Sequence, residues 1–232
     1  MGLGVWGESG NFVVSCRGFV SVLKIVKVIR EAERFKEFNE VKDFKEFKEM
    51  GERLIRPVGD YNRLICYQKA ECLYDITYYF TEKFLQRGDR TVGQMQQAAR
   101  SGKQNISEGY TRVATSMDTA LKLIDVAKSS LIELHDDYRD YLRTRGHRQW
   151  EKDSKEMVAM KQLARKHNNS PFYMQLIATR PPETIANIAI CLQKQTDYLL
   201  AKLLKSLEED FLTGGGFRER MTRMRIEKRK GK

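Results

Sequence analysis

The chain has 232 residues, of which 41% are hydrophobic and 31% are charged, and it carries a net charge of +11. This composition is typical of a globular protein with room for one domain and an appendage, and the charges within its apolar runs exclude a transmembrane helix. No small-residue cleavage site follows the apolar N-terminal stretches, so we expect a cytoplasmic protein without a signal peptide or a membrane partner.

Residues 1–52 are predicted to be a low-complexity N-terminal extension. Between residues 35 and 50 an apolar side chain recurs at every third position, and because a helix turns about 300° in three residues, no single face would be apolar. We hypothesise that this triplet pattern is a translated tandem nucleotide repeat that precedes a native start at Met50. Residues 51–61, with Pro57 and Gly59, are expected to be a linker.

Residues 63–86 predict the first amphipathic helix. Its main apolar stripe has spacings of three and four and consists of Cys66, Ala70, Leu73, Ile76, Phe80 and Phe84. A second stripe lies roughly a quarter turn away and consists of Tyr67, Tyr74, Tyr78 and Leu85. Two apolar sides indicate either a second packing partner in a neighbouring subunit or one wide buried face in a monomer. We favour the oligomer.

The second helix is predicted to begin at Thr91, in a capping box with Gln94, and to end at Gly109 in a C′ position. Its inward positions are Val92, Met95, Ala98, Ala99, Gly102 and Ile106. The Gly102-Lys103 pair is no phosphate-binding loop, because the earlier glycine and the following Ser or Thr of a Walker loop are both absent.

Small side chains make one region of the second helix nearly flat, which lets another helix approach closely. They are Ala98, Ala99, Ser101 and Gly102, and Ser129 and Ser130 predict a matching shallow patch on the third helix. Asn105 and Glu108 can satisfy backbone groups at the end of the helix or pair across to another helix. Arg100, Lys103 and Arg112 form either a cationic edge or ordinary solvated charges.

The third helix is expected to start at a Ser116 cap and to end near Gly146. Its core stripe is Leu121, Ile124, Ala127, Leu131, Leu134, Tyr138 and Leu142. In the following insertion, residues 147–181, a short helix is predicted from about 152 to 167, with Asn-Asn-Ser-Pro ending it. Pro181-Pro182 opens the last long helix, whose stripe is Ile185, Ile188, Leu192, Leu199, Leu203 and Leu207.

Three glycines, residues 214–216, end the last helix and release a basic tail. Residues 218–232 hold eight basic and two acidic groups, whereas residues 1–52 hold nine of each. Such a basic block binds polyanions, most often nucleic acid. The same composition also fits a solvated tail that keeps the protein soluble, and composition leaves both interpretations open.

No segment alternates like a strand, and the connections between the long helices are short. The sequence therefore predicts an all-α fold: an antiparallel up-down four-helix bundle over residues 53–217, with a short helical insertion between helices 3 and 4. The basic tail, residues 218–232, follows this domain.

No arrangement of residues predicts catalysis. Glu133 and Asp137 share a face of the third helix, but the Glu-x-x-His motifs of di-metal bundles are absent. No Cys or His spacing matches a zinc site, and the four cysteines are expected to be reduced, buried thiols. We therefore expect a non-enzymatic protein with no metal, cofactor or catalytic residue.

The segment AARSGKQNISEG resembles the signature helix of the bacterial four-helix-bundle family named for proteins encoded in 23S ribosomal RNA intervening sequences. The matching residues are Ala98, Ser101, Asn105, Ile106, Glu108 and Gly109. The segment LIDVAKSSLIEL resembles the third helix of that family, and residues 147–217 resemble its variant with a C-terminal suffix. Gly102 and Lys103 depart from the family pattern.

The resemblance implies an oligomeric, often pentameric bundle without known enzymatic activity. A related branch, the accessory proteins of diversity-generating retroelements, binds a reverse transcriptase and nucleic acid. We therefore expect a homo-oligomer that binds nucleic acid, with RNA favoured over DNA by the resemblance alone. The candidate contacts are Arg100, Lys103, Arg112, Arg218, Arg220, Arg223, Arg225, Lys228, Arg229 and Lys230. The alternative is a structural or protein-interaction scaffold, such as a reverse-transcriptase accessory subunit, that binds no nucleic acid itself.

Overall fold

The structure is a computed structural model that describes residue 55 and residues 58–231. The predicted extension, residues 1–52, lies outside the described residues, as does the hypothetical start at Met50. Within the described part of the chain, the regular elements are all helices and no strand is present. The predicted all-α class is therefore confirmed for these residues.

Helix α1 spans Ile65–Phe84 and follows a 3-10 turn, Tyr61–Arg63. Helix α2 spans Arg90–Arg112 and starts one residue earlier than expected. Its cap is Asp89, whose carboxylate accepts a hydrogen bond from the Thr91 N–H at 2.9 Å, rather than the predicted capping box at Thr91.

The predicted end of α2 at Gly109 is wrong, because the helix continues for three more residues. Gly109 has no positive φ, and a Cβ added there would lie 2.8 Å from the Ile124 Cγ1 and 3.1 Å from the Ala120 carbonyl oxygen. The residue is a glycine because another helix lies against it. The conformational freedom of a C′ glycine is not used here.

Helix α3 spans Met117–Thr144, with Ser116 at its N-cap as expected. The insertion contains two helices where one was predicted: α4, Lys155–Lys166, and α5, Ser170–Ile177. The Asn-Asn-Ser-Pro segment ends α4 and also starts α5, because the Asn169 side chain accepts the Phe172 N–H at 3.0 Å. A cap followed by proline is a helix start as well as a stop.

Helix α6 spans Pro182–Gly214, and helix α7 spans Phe217–Lys230. Gly215, with a φ of 67°, turns the chain between them. The sequence predicted that the glycines release a basic tail, and in the structure most of that tail forms this second helix. Its start is held by Glu219, whose carboxylate accepts the Gly216 N–H at 2.9 Å.

Hydrogen bonds and close contacts give the relative directions of the long helices. Along α1 and α2, Gln96 donates to Thr81 Oγ1 at 2.9 Å, and Lys103 lies 4.7 Å from the Tyr74 ring centre. Residue numbers thus rise on α2 as they fall on α1, so the two helices are antiparallel. Residues of α2 and α3 pair in the same descending order. Lys128 of α3 and His147, just beyond the end of α3, lie 3.7 and 3.6 Å from Asp197 and Glu183 of α6, again in descending order, and α6 also packs against α1.

The core lies between these four helices. Phe80 of α1 packs edge-on against Tyr138 and Tyr141 of α3, with ring centres 5.1 and 4.7 Å away, and the fully buried Tyr138 hydroxyl donates to Thr77 Oγ1 at 3.1 Å. Most residues of the predicted stripes are buried. Apart from the second stripe of α1, the exceptions are half-buried and are Phe84, Val92, Leu121 and Leu199. On α6, Leu200 is buried in place of Leu199.

The insertion is anchored by polar side chains of the long helices. Lys69 of α1 is 3% exposed and donates to the Ala164 carbonyl oxygen, in the last turn of α4, at 2.5 Å. Asn187 of α6 is fully buried, accepts the Trp150 N–H at 2.7 Å and donates to the Arg148 carbonyl oxygen at 3.0 Å. Both side chains satisfy backbone groups that no helix satisfies.

Candidate nucleic-acid interface

Helix α7 carries most of the predicted nucleic-acid contacts. Its described residues include no fully buried side chain. Seven cations were predicted to bind there, and six of them are exposed: Arg218, Arg223, Arg225, Lys228, Arg229 and Lys230. Arg220 is half-buried. The charge of the tail is therefore available on the surface of a helix, where its positions are fixed relative to one another.

The cations of α7 are arranged in two stripes. At 100° per residue, Arg218, Arg225 and Arg229 lie within about 40° of one another, and Arg223 and Lys230 lie roughly 130° from that group. The half-buried side chains of Phe217, Met221 and Met224 lie in a sector centred roughly 90° from the first stripe. The exposed Lys228 lies in the same sector, so the cations of the helix are distributed over more than one face.

The three predicted cations of α2 do not form one edge. Arg100 and Lys103 are about 60° apart on the helix, but Arg112 lies about 18 Å along the axis from Arg100 and on the opposite side from Lys103. Arg100 and Arg112 are exposed, whereas Lys103 is half-buried over the Tyr74 ring. The predicted edge is therefore at most the Arg100–Lys103 pair, which adjoins the tyrosines of α1.

The helix-packing motif lies mainly against α3. Ala98, Ile106 and Gly109 are buried, and a Cβ added to Gly102 would lie 2.6 Å from Leu131 Cδ2. The remaining members form a polar edge: the Ser101 and Ser130 hydroxyls are 2.9 Å apart, Asn105 donates to the Ser101 carbonyl oxygen at 3.0 Å, and Glu108 is exposed. Ser129, expected to join Ser130 in the shallow patch, is exposed instead.

The aromatic stripe of α1 is divided by the fold. Tyr67 is 9% exposed and packs edge-on against Tyr61, with ring centres 5.0 Å apart. Tyr74 is half-buried, and Tyr78 is 51% exposed. A groove of about 750 Å³ runs beside Tyr74 and Tyr78, with Tyr79 and Met174 on its other side. The predicted four-residue surface is therefore reduced to Tyr74 and Tyr78, while the fold adds Tyr79 from the same helix.

The buried titratable groups are held in their neutral forms. Burial raises the pKa of the Cys72 thiol to about 12 and that of the Cys191 thiol to about 11. Both are free thiols. Burial also lowers the pKa values of His135 and His167. None of these groups is thereby activated as a nucleophile at neutral pH.

The acidic face of α3 is solvated in part. Burial, with the neighbouring Asp140, Glu133 and Asp136 carboxylates, raises the pKa of Asp137. Asp136 and Asp140 instead form ion pairs with Arg139 and Arg143, at 3.3 and 2.9 Å. Among the residues that the structure describes, no group of three or more His, Cys, Asp or Glu side chains is placed to hold a metal ion.

Sequence reasoning missed two polar side chains that organise the fold, Lys69 and Asn187. Lys69 lies in a polar stretch of α1, between Gln68 and Ala70, whereas Asn187 lies within an apolar run, between Ala186 and Ile188 in α6. A polar residue inside such a run is a usable signal, since burial of an unpaired polar group is unfavourable and a partner must exist. The partners themselves, in the insertion, could not be read from the sequence.

Comparison with known proteins gives no relative: no protein-family model, no curated protein and no solved structure matches the chain significantly. Among the described residues, no helix is both long and apolar enough to span a bilayer.

Proposed function

We propose that α1, α2, α3 and α6 form an antiparallel up-down four-helix bundle, with α4 and α5 as its insertion. The descending residue pairings between α1 and α2, α2 and α3, and α3 and α6 support this arrangement, as does the packing of α6 against α1. The proposal includes membership of the ribosomal-RNA intervening-sequence family, which rests on the residues of α2 and α3 quoted above.

We further propose that the protein is a non-enzymatic homo-oligomer that binds nucleic acid. The observation that carries this function is the exposure of six cations along one continuous helix, α7. Lys and Arg side chains that neutralise phosphates release counterions from the nucleic acid, and this release favours binding at low salt. Repetition of α7 in an oligomer would strengthen individually weak contacts. RNA is preferred to DNA on the family resemblance alone.

The composition of α7 supports phosphate contacts and provides few side chains that read adenine or stack on bases. The helix contains Arg, Lys, Glu, Thr, Met, Ile and one Phe, and it has no Asn or Gln. Asn and Gln are the side chains that read adenine edges, and aromatic rings supply stacking platforms for unpaired bases. We therefore expect little preference for adenine, whereas Arg and Lys are also the side chains that contact guanine edges.

Fluorescence anisotropy with a labelled RNA tests the proposal. The affinity of the full chain should fall steeply as salt rises, with a slope of about 0.7 to 0.9 per neutralised phosphate. The triple substitution Arg218→Gln, Arg223→Gln and Arg225→Gln should weaken binding and reduce that slope. The matched control introduces Gln in the same way at three exposed cations outside α7: Lys122, Arg139 and Lys205. Equal losses in both variants, or no binding at low salt, would contradict the proposal.

A second candidate function is a structural or protein-interaction scaffold, of which a reverse-transcriptase accessory subunit is one example. The exposed Tyr78 and the groove beside it favour this candidate, because tyrosine is enriched where proteins bind one another. Light scattering, repeated with and without RNA, separates the two functions. An oligomer whose mass is unchanged by RNA, in a sample that also gives no anisotropy change, would favour the scaffold.

A further inference from the structure

An acidic stripe runs along the outward face of α1. Glu71, Asp75 and Glu82 lie within about 40° of one another at 100° per residue. Glu82 is exposed, and Glu71 and Asp75 are half-buried. The Asp75 carboxylate also accepts a hydrogen bond from the Ser170 hydroxyl of α5. Three carboxylates on one face of a helix destabilise each other unless cations approach them.

The tyrosine groove lies beside this stripe. Tyr74, Tyr78 and Tyr79 line it together with Asp75, Glu82, Lys83 and Met174. Two cations at its margins, Lys83 and Lys103, have their ammonium groups 4.9 and 4.7 Å from the centres of the Tyr79 and Tyr74 rings. Those cations occupy positions over tyrosine rings at the edges of the groove. The middle of the face therefore presents carboxylates and the exposed Tyr78 ring to a partner.

The exposed arginine stripe of α7 has the same spacing in reverse. On α1 the carboxylates follow one another at intervals of four and then seven residues, from Glu71 to Glu82. On α7 the arginines follow at seven and then four, from Arg218 to Arg229. Each stripe spans eleven residue steps, or about 16 Å of helix, and each keeps within a sector of about 40°.

We propose that α7 of one copy docks antiparallel along the α1 face of a second copy. In this register Arg229 faces Glu71, Arg225 faces Asp75 and Arg218 faces Glu82. The occupant supplies three positive charges along one face, which is what a groove of carboxylates and tyrosine rings binds.

A second copy fits better than the α7 of the same chain. The described elements that contact α1 within the chain are the 3-10 turn and α2 to α6, whereas α7 begins only beyond the end of α6 at Gly214. Exposed ion pairs are individually weak and are screened by salt. The contact should therefore be concentration-dependent and should weaken as salt rises.

This inference rests on the homo-oligomeric part of the proposed function and names the surfaces that join the copies. It does not require nucleic-acid binding, and it leaves Arg223, Lys228 and Lys230 outside the docked stripe for phosphate contacts. Docking does set a limit on the phosphate contacts, since Arg218, Arg225 and Arg229 cannot face carboxylates and phosphates simultaneously.

Two charge-reversed variants test the docking by sedimentation velocity. One carries Glu71→Lys and Glu82→Lys, which leaves the Asp75–Ser170 hydrogen bond in place. The other carries Arg218→Glu and Arg229→Glu. Each alone should self-associate about tenfold or more weakly than the parent protein, because two of the three docked pairs then bring like charges together. An equimolar mixture should recover the parent association, since the two reversals complement each other only between chains.

The matched control, Arg223→Glu with Lys230→Glu, changes the same amount of charge outside the stripe and should associate like the parent protein. Circular dichroism should give the same helix content for every variant. Three results would overturn the proposal: a parent protein that stays monomeric, reversed variants that associate normally, and a mixture that fails to recover. Recovery in one chain carrying both reversals, without recovery in the mixture, would indicate docking within a chain and would also overturn it.

RNA anisotropy on the same variants separates this inference from the nucleic-acid function. The Glu71→Lys and Glu82→Lys variant keeps every cation of α7, so it should still bind a labelled poly-uridylate oligonucleotide. Normal RNA binding with unchanged association in all variants would leave the nucleic-acid function standing and reject the docking. If the mixture of the two charge-reversed variants recovers its association but the protein binds no RNA, the docking is supported and the nucleic-acid function is rejected.

Discussion

The interface between α2 and α3 and the helix α7 use their side chains in opposite ways. At the interface, Gly102 and Gly109 bring two helices so close that an added Cβ would lie within 3 Å of Leu131 or Ile124. On α7, no described residue is fully buried, and six cations are exposed. The first region is determined by shape and the second by charge. Substitutions in the two regions should therefore affect different measurements.

The largest effect is expected from Gly109→Leu. The new side chain would meet Ile124 and the Ala120 carbonyl oxygen, so we expect the free energy of unfolding to fall by about 3 kcal/mol in urea unfolding. Gly93→Ala is the matched control, because it lies on the same helix with open space around its Cβ position. The control should raise stability by about 0.5 to 1 kcal/mol through helix propensity. A neutral Gly109→Leu would show that the helices are not closely packed there.

A smaller effect is expected from Ser101→Ala. It removes the hydroxyl that lies 2.9 Å from the Ser130 hydroxyl and 3.1 Å from the Asn105 Nδ2. We expect the free energy of unfolding to fall by about 1 kcal/mol, the usual net contribution of a hydrogen bond. Ser107→Ala, at an α2 hydroxyl that bonds only to the Gln104 carbonyl oxygen of its own helix, is the control. Equal effects of the two substitutions would contradict a bond between helices.

A pH titration should separate the same two regions. Burial lowers the pKa of His135 below its ordinary value, so the unfolded chain binds more protons once the pH falls below about 6.5. The free energy of unfolding therefore decreases as the pH drops from roughly 7.5 toward 6, because the neutral His135 of the folded state no longer matches the protonated His135 of the unfolded chain. The substitution His135→Gln should reduce this loss. We place the RNA contacts on α7 and not on α3, so RNA affinity should stay constant over this range. An RNA affinity that follows stability would contradict the separation.

The smallest effect on stability is expected from the triple glutamine variant of α7. Because these arginines are exposed, the free energy of unfolding should change by less than about 0.5 kcal/mol in urea, while RNA affinity falls. This variant therefore inverts the result for Gly109→Leu, which lowers stability and leaves the phosphate contacts present. If the glutamine variant instead destabilised the bundle, α7 would be part of the packed core.

The sequence predicted element types well and element ends less well. The α3 stripe from Ile124 to Leu142 is buried as expected. The spacing of its apolar residues and the geometry of a helix are enough to predict which face is buried. The end of α2 was mispredicted because Gly109 satisfies both the pattern of a C′ residue and that of a close contact. Only the position of Ala120 on another helix distinguishes the two.

In the candidate site, too, some features follow from the local sequence and others depend on contacts between elements. Charge on residues 218–232 is a property of composition, so it could be read directly from the chain. The helical order of that charge, the separation of Arg112 from Lys103 and the burial of Tyr67 against Tyr61 depend on where other elements end and pack. The match between the carboxylates of α1 and the arginines of α7 became apparent only once both segments were known to be continuous helices.

By itself, the sequence determined that this chain is helical and where its positive charge lies, because both follow from local periodicity and from residue type. The tertiary structure decided which small residues meet another helix, which polar groups anchor the insertion and which tyrosines stay exposed. Those outcomes depend on contacts between residues far apart in the chain, such as Lys69 with Ala164 and Asn187 with Arg148. Such pairs satisfy backbone groups that no local pattern reveals.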